Sequence, residues 1–350
     1  MKIGSRQIRN FAEPYIIAEL GANHNGDMDL ARTLVLEAKK AGCDCAKFQS
    51  WTKNSIFSKK VYQENRFLGD DYRNRTDYTL ESIVDAYSVT ESELRDLKKL
   101  CDGVGIDFGC TPFTKREVDF LVDELDIAFV KIASMDLNNY EFLKYVGAKK
   151  RPIVLSTGLS MLSEIEQAVQ AIESTGNREI ILLHCIAVYP PRDETINLRN
   201  IEMLRTNYPD YPVGFSDHSL GTAVPLASVA LGACMIEKHF TLDKTMPGWD
   251  HKVSMTPDEM AELVAGSKKI VKALGTTRRV LSQEDYQQIP AFRRSIVAAR
   301  PIAKGQTIQI EDLDVKRPGT GIEPQYLEII VGRVAKRDIS FDEMLTAEDF

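Results

Sequence analysis

Short runs of β-branched and aromatic residues alternate with longer amphipathic stretches through the first 275 residues of the chain. In the longer stretches apolar residues recur every three or four positions, which predicts helices. The clearest helices are predicted at residues 30–41, 91–101, 115–125, 164–174 and 257–274. The short runs predict eight strands, at residues 15–22, 45–49, 106–113, 129–134, 152–158, 180–185, 213–218 and 235–239. Eight strand–helix units in about 260 residues match the length and order of a (β/α)8 TIM barrel of the α/β class.

A doubly wound open sheet is the alternative that the same alternation allows. Such a sheet usually has fewer strands and a glycine-rich turn after the first one. Here residues 21–26 read GANHNG, which does not match the dinucleotide-binding fingerprint. The barrel is therefore the preferred prediction.

The pattern changes after about residue 275, which predicts a barrel domain at 1–275, a polar linker at 276–290 and a second module at 291–350. The module contains an internal repeat with an offset of 37 residues. The repeated positions are Arg300, Ile302, Gly305, Ile308 and 311–313, which recur as Arg337, Ile339, Asp342, Leu345 and 348–350. Each copy predicts two short strands joined by a turn. A module of about 60 residues is marginal alone, so we expect it to dock onto a larger body.

Composition narrows the class of protein. The net charge of −7 and the pI near 5.5 argue against nucleic acid or an anionic membrane as the main partner. No apolar run approaches the roughly 20 residues of a membrane span, and residues 1–14 lack the apolar segment of a signal peptide. Six cysteines without a C-x-x-C pair suit reduced thiols, so we expect a cytoplasmic protein.

The predicted strands end in ionisable or hydroxyl residues, and the C-terminal ends of the strands form the active site of such barrels. In chain order these residues are Glu19, Lys47, Gln49, Thr111, Lys131, Ser134, Asp136, Ser156, Thr157, His184, Tyr189, Ser216, Asp217, His218, Glu237 and His239. Packing alone does not explain this ring, because buried unpaired polar groups are costly. We therefore predict the site at this end of the barrel.

Two histidines, His218 and His239, end neighbouring strands and can converge on one divalent ion. Two imidazoles with water and substrate oxygens suit Mn²⁺ or a similar first-row ion better than Mg²⁺ alone. A pair of hydrogen-bonded core histidines is the alternative.

Two lysines and several hydroxyls face the predicted cavity, a composition that suits a ligand with both phosphate and carboxylate groups. The set comprises Lys47, Lys131, Thr111, Ser134, Ser156 and Ser216. Each lysine could instead pair with a barrel carboxylate, or one could be a Schiff-base nucleophile. Glu19 is predicted to act in acid–base chemistry or to hydrogen-bond a polyol, with a structural role as the alternative. Cys110 and Cys185 are interpreted as small core residues.

Across residues 10–350 the sequence resembles the sialic acid synthase family, which includes N-acetylneuraminate, legionaminate and pseudaminate synthases. The matching segments are IIAELGANHNG (16–26), KFQ (47–49), TPF (111–113), KIAS (131–134), LSTG (155–158), FSDHSLG (215–221), EKHFTLD (237–243), PGWDH (247–251) and KRPGTGI (316–322). The resemblance implies a TIM barrel followed by a small antifreeze-like domain (SAF, β-clip). It also implies a homodimer in which each small domain covers the partner's barrel mouth.

The resemblance implies a metal-dependent condensation of phosphoenolpyruvate with an N-acylated mannosamine-type sugar, in which Glu19, Lys131, His218 and His239 are catalytic. His218 and His239 would hold the metal, typically Mn²⁺, with Mg²⁺ or Co²⁺ as alternatives. Phosphoenolpyruvate would contact Lys47, Thr111, Lys131, Ser134, Ser156 and Ser216. The sugar would contact Gln49, Tyr189, Asp250 and Arg317, the last from the partner's small domain.

One position departs from the family pattern, since Ala187 stands where some bacterial members carry an asparagine that contacts a ligand. The loop at 50–79 and Trp249 are expected to shape the sugar pocket. The resemblance leaves three acceptors open: N-acetylmannosamine, its 6-phosphate and a 2,4-diacetamido sugar. Two other functions also remain at this point, a Schiff-base aldolase using Lys131 or Lys47 and a sugar-binding protein without catalysis.

Overall fold

The computed structural model describes residues 1–65 and 78–350. Within them an antiparallel hairpin, β1 (Lys2–Ile3) and β2 (Arg6–Gln7), precedes eight parallel strands. These are β3 (Tyr15–Glu19), β4 (Cys45–Gln49), β5 (Asp107–Thr111), β6 (Val130–Ile132), β7 (Ile153–Ser156), β8 (Ile180–Cys185), β9 (Val213–Asp217) and β10 (Met235–His239). They form one sheet in the order β5-β4-β3-β10-β9-β8-β7-β6, and its outer strands β5 and β6 contact each other. The sheet is a nearly closed barrel, which confirms the predicted (β/α)8 fold.

Helices connect the strands on the outside of the barrel. They are α1 (Met28–Ala41), α2 (Lys59–Glu64), α3 (Leu80–Tyr87), α4 (Glu91–Val104), α5 (Lys115–Asp119), α6 (Tyr140–Ala148), α7 (Leu162–Glu173), α8 (Asp193–Ile196), α9 (Asn200–Asn207), α10 (Ala223–Ala230) and α11 (Pro257–Leu274). The helix predicted at 115–125 is α5 followed by a π-helical turn at Phe120–Glu124. Among the helices of residues 1–65 and 78–350, none combines the length and apolar composition that crossing a membrane requires.

Local sequence sets the bounds of these helices, as α4 shows. The Thr90 hydroxyl accepts the N–H of Glu93 at 3.3 Å, and the Glu93 carboxylate accepts the N–H of Thr90 at 2.8 Å. This reciprocal pair supplies partners for donors that a helix start leaves unpaired. The helix ends at Gly105, whose φ of 71° favours glycine.

Alternate residues of a strand face opposite sides of the sheet, and this alternation locates the polar site. Toward the helices the strands present apolar side chains such as Ala18, Phe48 and Ile236, which belong to the main core. A second apolar cluster fills the N-terminal half of the barrel interior. It consists of Ile3, Ile8, Tyr15, Ile17, Cys45, Phe129, Val154, Ile181, Leu183, Cys234 and Met235. The inward-facing polar residues therefore occur at the C-terminal ends of the strands.

The chain divides into two compact units, Met1–Gly275 and Thr276–Phe350. The second unit begins with α12 (Gln283–Phe292), which occupies part of the segment predicted as a linker. Strands β11 (Ser295–Ala298) and β12 (Leu313–Lys316) pair antiparallel, and α13 (Leu327–Ile330) follows. Its apolar core includes Ile302, Ile308, Ile339 and Leu345.

The internal repeat of the second unit is confirmed by matching hydrogen bonds. Ile302 and Ile339 occupy equivalent positions, and each donates its N–H to the other's carbonyl at 2.9 Å. Gly305 donates to Ala335 at 2.7 Å, and the equivalent residue Asp342 donates to Ala298 at 2.9 Å. The two copies therefore pair with each other around a local two-fold relation.

Candidate active site

A cavity of about 270 Å³ opens at the C-terminal end of the barrel strands. It is lined by Glu19, Lys47, Gln49, Thr111, Phe113, Lys131, Ala133, Ser134, Met135, Ser156, Leu159, Cys185, Ala187, Tyr189, Ser216, His218, Glu237, His239 and Asp250. Every barrel residue that was assigned a catalytic, metal-binding, phosphoenolpyruvate-binding or sugar-binding role is among them, whereas the strand-end residues Asp136, Thr157, His184 and Asp217 are not. Arg317 belongs to the second unit, where its Nε donates to the Ala291 carbonyl at 2.9 Å and its guanidinium stacks 4.3 Å from the Phe292 ring centre.

The strand register brings these residues together. Glu19 on β3 is aligned with Lys47 on β4 and with His239 on β10. Glu237 on β10 is aligned with Ser216 on β9. Aligned residues of parallel strands present their side chains on the same face, and Glu237 lies two residues before His239, so all of these residues face the interior of the barrel.

Two buried lysines and two buried glutamates form the centre of the cavity. Lys47 forms an ion pair with Glu19 and lies 3.5 Å from a Glu237 oxygen. Lys131 lies 3.5 Å from the other Glu237 oxygen. Each of the four side chains is at most 7% exposed. The structure therefore shows the alternative in which the lysines pair with barrel carboxylates.

Hydroxyl groups extend this network. Lys131 Nζ donates to Ser156 Oγ at 2.8 Å, and Lys47 Nζ donates to Thr111 Oγ1 at 3.1 Å. Ser216 Oγ donates to Glu237 at 2.8 Å. The lysine ammonium groups are thus held by several neutral and anionic partners, which fixes where a ligand anion meets positive charge.

Burial and neighbouring charges act in opposite directions on these groups. Burial raises the pKa of Glu19 above its usual value, although Lys47 opposes that change. Burial would also raise the pKa of Glu237, but Lys131 and Lys47 lower it to about 2. Burial lowers the pKa of Lys131, whereas in Lys47 the effect of burial is outweighed by Glu19 and Glu237, which raise the pKa. Glu19 and Lys131 are therefore the two groups whose pKa values burial moves toward neutral pH.

The His218 and His239 rings lie with their centres 5.3 Å apart. Nδ1 of His218 is 2.8 Å from the Ile186 carbonyl oxygen, so in the neutral ring Nδ1 carries the proton and Nε2 keeps its lone pair. Nδ1 of His239 is buried without a hydrogen bond among the described residues, and its nearest carboxylate oxygen, from Asp250, is 3.5 Å away. Burial, followed by Glu19, raises the pKa of this Asp250 carboxyl to about 7.

This pair fits a divalent ion in chemistry and placement. Two imidazoles line the same cavity, and one has a buried nitrogen without a partner. Within residues 1–65 and 78–350 no cluster of three or more His, Cys, Asp or Glu side chains has the geometry of a metal site. An ion held by His218 and His239 would therefore need water or substrate oxygens as further ligands.

Several strand-end residues named from the sequence lie on the other face. Asp217 faces the helices and pairs with Lys238 at 2.7 Å, so it is not a neighbour of the histidine nitrogens in the cavity. His184 also faces outward, stacks on Phe215, and lies 2.7 Å from the Ile196 carbonyl oxygen. Cys110 is in the core as predicted, but Cys185 lines the cavity, which corrects its interpretation as a core residue.

Some residues in or beside the cavity were assigned no role from the sequence. Glu237 was named as a strand end, and its spacing of two from His239 already placed both on one face. The Trp51 indole donates to Gln49 Oε1 at 2.7 Å, and Gln49 Nε2 donates to Glu19 at 2.9 Å. The apolar lining residues Phe113, Met135 and Leu159 lie beyond the strands, where strand periodicity carries no signal.

The loop expected to shape the sugar pocket is described only in part. Residues 66–77 of the predicted 50–79 loop lie outside the described residues. Trp249 packs with its ring centre 6.1 Å from that of Trp51 and 5.8 Å from that of Tyr87. These aromatic residues pack beside the end of β4, which carries Gln49, and the loop that carries Asp250.

Comparison with known proteins places this cavity in a family. A model of the NeuB family matches residues 34–279. The chain belongs to the NeuB family. A SAF domain model matches residues 293–350 of the NeuB-family chain, so its second unit is a SAF domain. Both expectations drawn from the sequence motifs are confirmed.

Relatives of this NeuB-family chain cover nearly all of it. It is 41% identical to an uncharacterized protein of Methanocaldococcus jannaschii, over 100% of this chain and 98% of that protein. It is 37% identical to the N,N'-diacetyllegionaminic acid synthase of Legionella pneumophila, over 93% and 91% of the two chains. A solved N-acetylneuraminic acid synthetase of Leptospira borgpetersenii is 32% identical with a TM-score of 0.74, covering 83% of this chain and 94% of that one. The NeuB-family chain is thus an enzyme of the synthase class.

Proposed function

We propose that the protein condenses phosphoenolpyruvate with the aldehyde form of an N-acylated mannosamine-type sugar, giving a nonulosonic acid and inorganic phosphate. The observation that carries this proposal is the single cavity onto which two buried lysines, four hydroxyls and two histidines open. The synthases named among the relatives support the same reaction class.

Phosphoenolpyruvate suits the lysine–hydroxyl part of the cavity. Its phosphate and carboxylate need fixed positive charge, which Lys47 and Lys131 supply without reorganisation. Thr111, Ser134, Ser156 and Ser216 provide hydroxyl donors around them.

A divalent metal, with Mn²⁺ as the first choice and Mg²⁺ or Co²⁺ as alternatives, would be held by His218 and His239. When bound, such an ion supplies Lewis-acid polarisation of the sugar aldehyde. The unpaired Nδ1 of His239 and the neutral imidazoles support this assignment, since burial lowers the pKa of both histidines.

The protein's own residues then orient the reactants and move protons. The C2–C3 π electrons of phosphoenolpyruvate form a bond to the aldehyde carbon, whose oxygen takes up a proton and becomes a hydroxyl, and water adds at C2 while losing a proton. Glu19 is placed to accept that proton, because Gln49 and Lys47 hold its carboxylate at the cavity wall. The C2 hydroxyl then loses its proton to the departing phosphate as the C2–oxygen bond to phosphate breaks, which leaves the 2-keto acid, and Lys47 and Lys131 stabilise the phosphate.

The acceptor is proposed to lack a phosphate group, as N-acetylmannosamine or a 2,4-diacetamido sugar does. Among the described residues that line the cavity within one chain, Lys47 and Lys131 are the only Lys or Arg side chains, and both are assigned to phosphoenolpyruvate, so that only Arg317, proposed below to come from the partner, would add a cation on the sugar side. Gln49, Tyr189 and Asp250 provide polar contacts for an amino sugar beside the apolar Leu159 and Met135.

The decisive experiment measures phosphate release from phosphoenolpyruvate with Mn²⁺, with and without EDTA. The acceptor panel is N-acetylmannosamine, its 6-phosphate and a 2,4-diacetamido sugar. We expect release that depends on an acceptor and stops with chelator. Folded protein that releases no phosphate with any acceptor would contradict the proposal.

A Schiff-base aldolase is the second candidate, and one observation favours it: burial lowers the pKa of Lys131, which favours a nucleophilic neutral amine. Borohydride with pyruvate would then trap a covalent adduct on Lys131, and EDTA would have no effect. The proposed synthase should form no adduct and lose activity with EDTA.

We propose that the enzyme is a cytoplasmic homodimer in which Arg317 completes the partner's cavity. Six buried free cysteines support the cytoplasmic location, and the family resemblance supports the contribution of Arg317 to the partner's cavity. Mixing a His218→Ala chain with an Arg317→Ala chain tests it. If Arg317 acts on the partner, mixed dimers regain activity at about half of their sites. Mixed dimers that stay inactive would place Arg317 in its own chain's site or outside catalysis.

A further inference from the structure

A buried ion pair lies directly behind the two candidate metal ligands. Asp217 precedes His218, and Lys238 precedes His239. Because successive strand residues alternate faces, the histidines line the cavity while Asp217 and Lys238 face the helices. Lys238 Nζ donates to Asp217 Oδ2 at 2.7 Å, and the two side chains are 0% and 1% exposed.

The same two residues fix the backbone around His218. Asp217 Oδ1 accepts the N–H of Ser219 at 2.8 Å, and Lys238 Nζ also donates to the Ser219 carbonyl. His218 is therefore the central residue of a turn whose flanking residues, Asp217 and Ser219, are hydrogen-bonded to each other and to Lys238. The ion pair also joins the ends of β9 and β10, the strands that carry the two histidines.

His239 depends on this connection more than His218 does. The His218 ring has its own anchor, the Ile186 carbonyl, whereas the buried Nδ1 of His239 has no hydrogen bond among the described residues. Apart from the Tyr189 ring, whose centre lies 5.7 Å away, and the Asp250 carboxylate at 3.5 Å, the position of the His239 ring is set by its strand, which Lys238 ties to Asp217.

Stability alone does not explain a charged pair at this place. Removing two charges from water is costly, and apolar residues of similar volume often stabilise a core equally well. A second pair, Lys244 with Glu259 at 2.6 Å, shows the usual arrangement, since both side chains are about one third exposed.

We propose that Asp217 and Lys238 are positioning residues that set the separation of His218 and His239. The functional part of this inference rests on the proposed metal role of the two histidines. Partners behind metal ligands commonly change metal affinity by about 10- to 100-fold when they are removed.

The test compares the double variant Asp217→Leu/Lys238→Met with the control Lys98→Met/Asp102→Leu, which removes a solvent-facing ion pair on α4. Mn²⁺ affinity is measured on metal-free protein by electron paramagnetic resonance, thermal unfolding is recorded, and crystal structures give the ring separation. We expect the double variant to fold, to bind Mn²⁺ about 10- to 100-fold more weakly, and to depart from the 5.3 Å ring separation. The control should match the wild type in affinity and ring separation.

An unchanged ring separation in the folded double variant overturns the inference, whatever its Mn²⁺ affinity. If the wild type binds no Mn²⁺, the proposed metal fails, and the ring separation alone still decides the positioning role. If the double variant does not fold, Asp217→Asn replaces it, because the amide oxygen still accepts the Ser219 N–H. That variant should also displace the rings and weaken Mn²⁺ binding, and unchanged rings would overturn the inference.

Discussion

The SAF domain and the barrel both bury carboxylates, but the two units pair them differently. In the SAF domain, Asp312 accepts Arg300 Nε at 2.5 Å on one oxygen and the Gln309 N–H at 2.8 Å on the other. Its repeat partner Asp349 accepts Arg337 Nε and the Thr346 N–H, each at 2.6 Å. Both oxygens of each carboxylate are therefore used within the domain.

At the barrel mouth the buried polar atoms are less completely paired. One oxygen of Glu237 lies 3.5 Å from Lys47 and makes no hydrogen bond among the described residues, although Glu19 beside it is paired with Lys47 and Gln49. Nδ1 of His239 has none either. Buried groups without partners are rare in folded proteins, because they cost free energy. The difference indicates that the carboxylates of the SAF domain stabilise its fold, whereas the barrel cavity retains polar atoms that can bind a ligand.

The largest effect should come from the barrel histidines. We expect His218→Ala or His239→Ala to lower kcat/KM by at least about 10³-fold, as loss of a principal electrostatic stabiliser does. Thermal unfolding should change little, because each ring contributes few hydrogen bonds to the fold. Phosphate release and circular dichroism measure the two quantities. Substantial activity in both single variants would contradict the metal-site proposal. It would also contradict the view that the unpaired polar atoms of the barrel serve a ligand.

Acid should weaken the SAF domain through its paired carboxylates. Burial alone would raise the pKa of Asp312 and Asp349, but the backbone N–H and arginine at each one lower it. With folded pKa values below the unfolded value of about 3.9, both contribute stability above about pH 4 that is lost as pH falls through the folded pKa.

Calorimetry of the full chain between pH 6 and pH 3 measures this loss. The double variant Asp312→Asn/Asp349→Asn should have an unfolding temperature several degrees lower than that of the wild type at pH 6. On acidification its unfolding temperature should then fall less than that of the wild type. Glu311→Ala, which removes an exposed neighbouring carboxylate, is the control. If the unfolding temperature falls equally in the wild type and in the double variant, these carboxylates do not stabilise the SAF domain.

The smallest effect is expected at Trp51, which touches the site through Gln49. An indole N–H can only donate, so it directs the Gln49 carbonyl toward Trp51 and the amide nitrogen toward Glu19. Trp51→Phe should lower kcat/KM by about 2- to 10-fold, equivalent to one neutral hydrogen bond. Trp51→His, which restores a ring N–H, should recover part of the loss. No change in either variant would mean that Gln49 holds its orientation without Trp51.

Much of this arrangement follows from patterns that a sequence carries directly. Strand alternation predicted the barrel, and the strand ends predicted that Lys47, Lys131, His218 and His239 lie at one end of it. The repeat in the C-terminal module is equally direct, because its paired positions differ by a constant offset.

Other features required the three-dimensional structure. Asp217 and His184 end strands just as the cavity residues do, and only the register shows that they face the helices. Trp51 and Leu159 reach the site from loops, whose paths depend on tertiary packing rather than on periodicity. The helix α12 within the predicted linker is another case, since a polar segment without buried residues gives a weak periodic signal.

The chain has two tryptophans, Trp51 and Trp249, and their rings stand 6.1 Å apart beside the cavity. Trp51 contacts Gln49, and Trp249 directly precedes Asp250 in the chain. All indole fluorescence of the protein therefore arises at the edge of one site. An emission titration with unlabelled phosphoenolpyruvate or sugar can follow the filling of that site in real time, and Trp51→Phe leaves Trp249 as a single emitter.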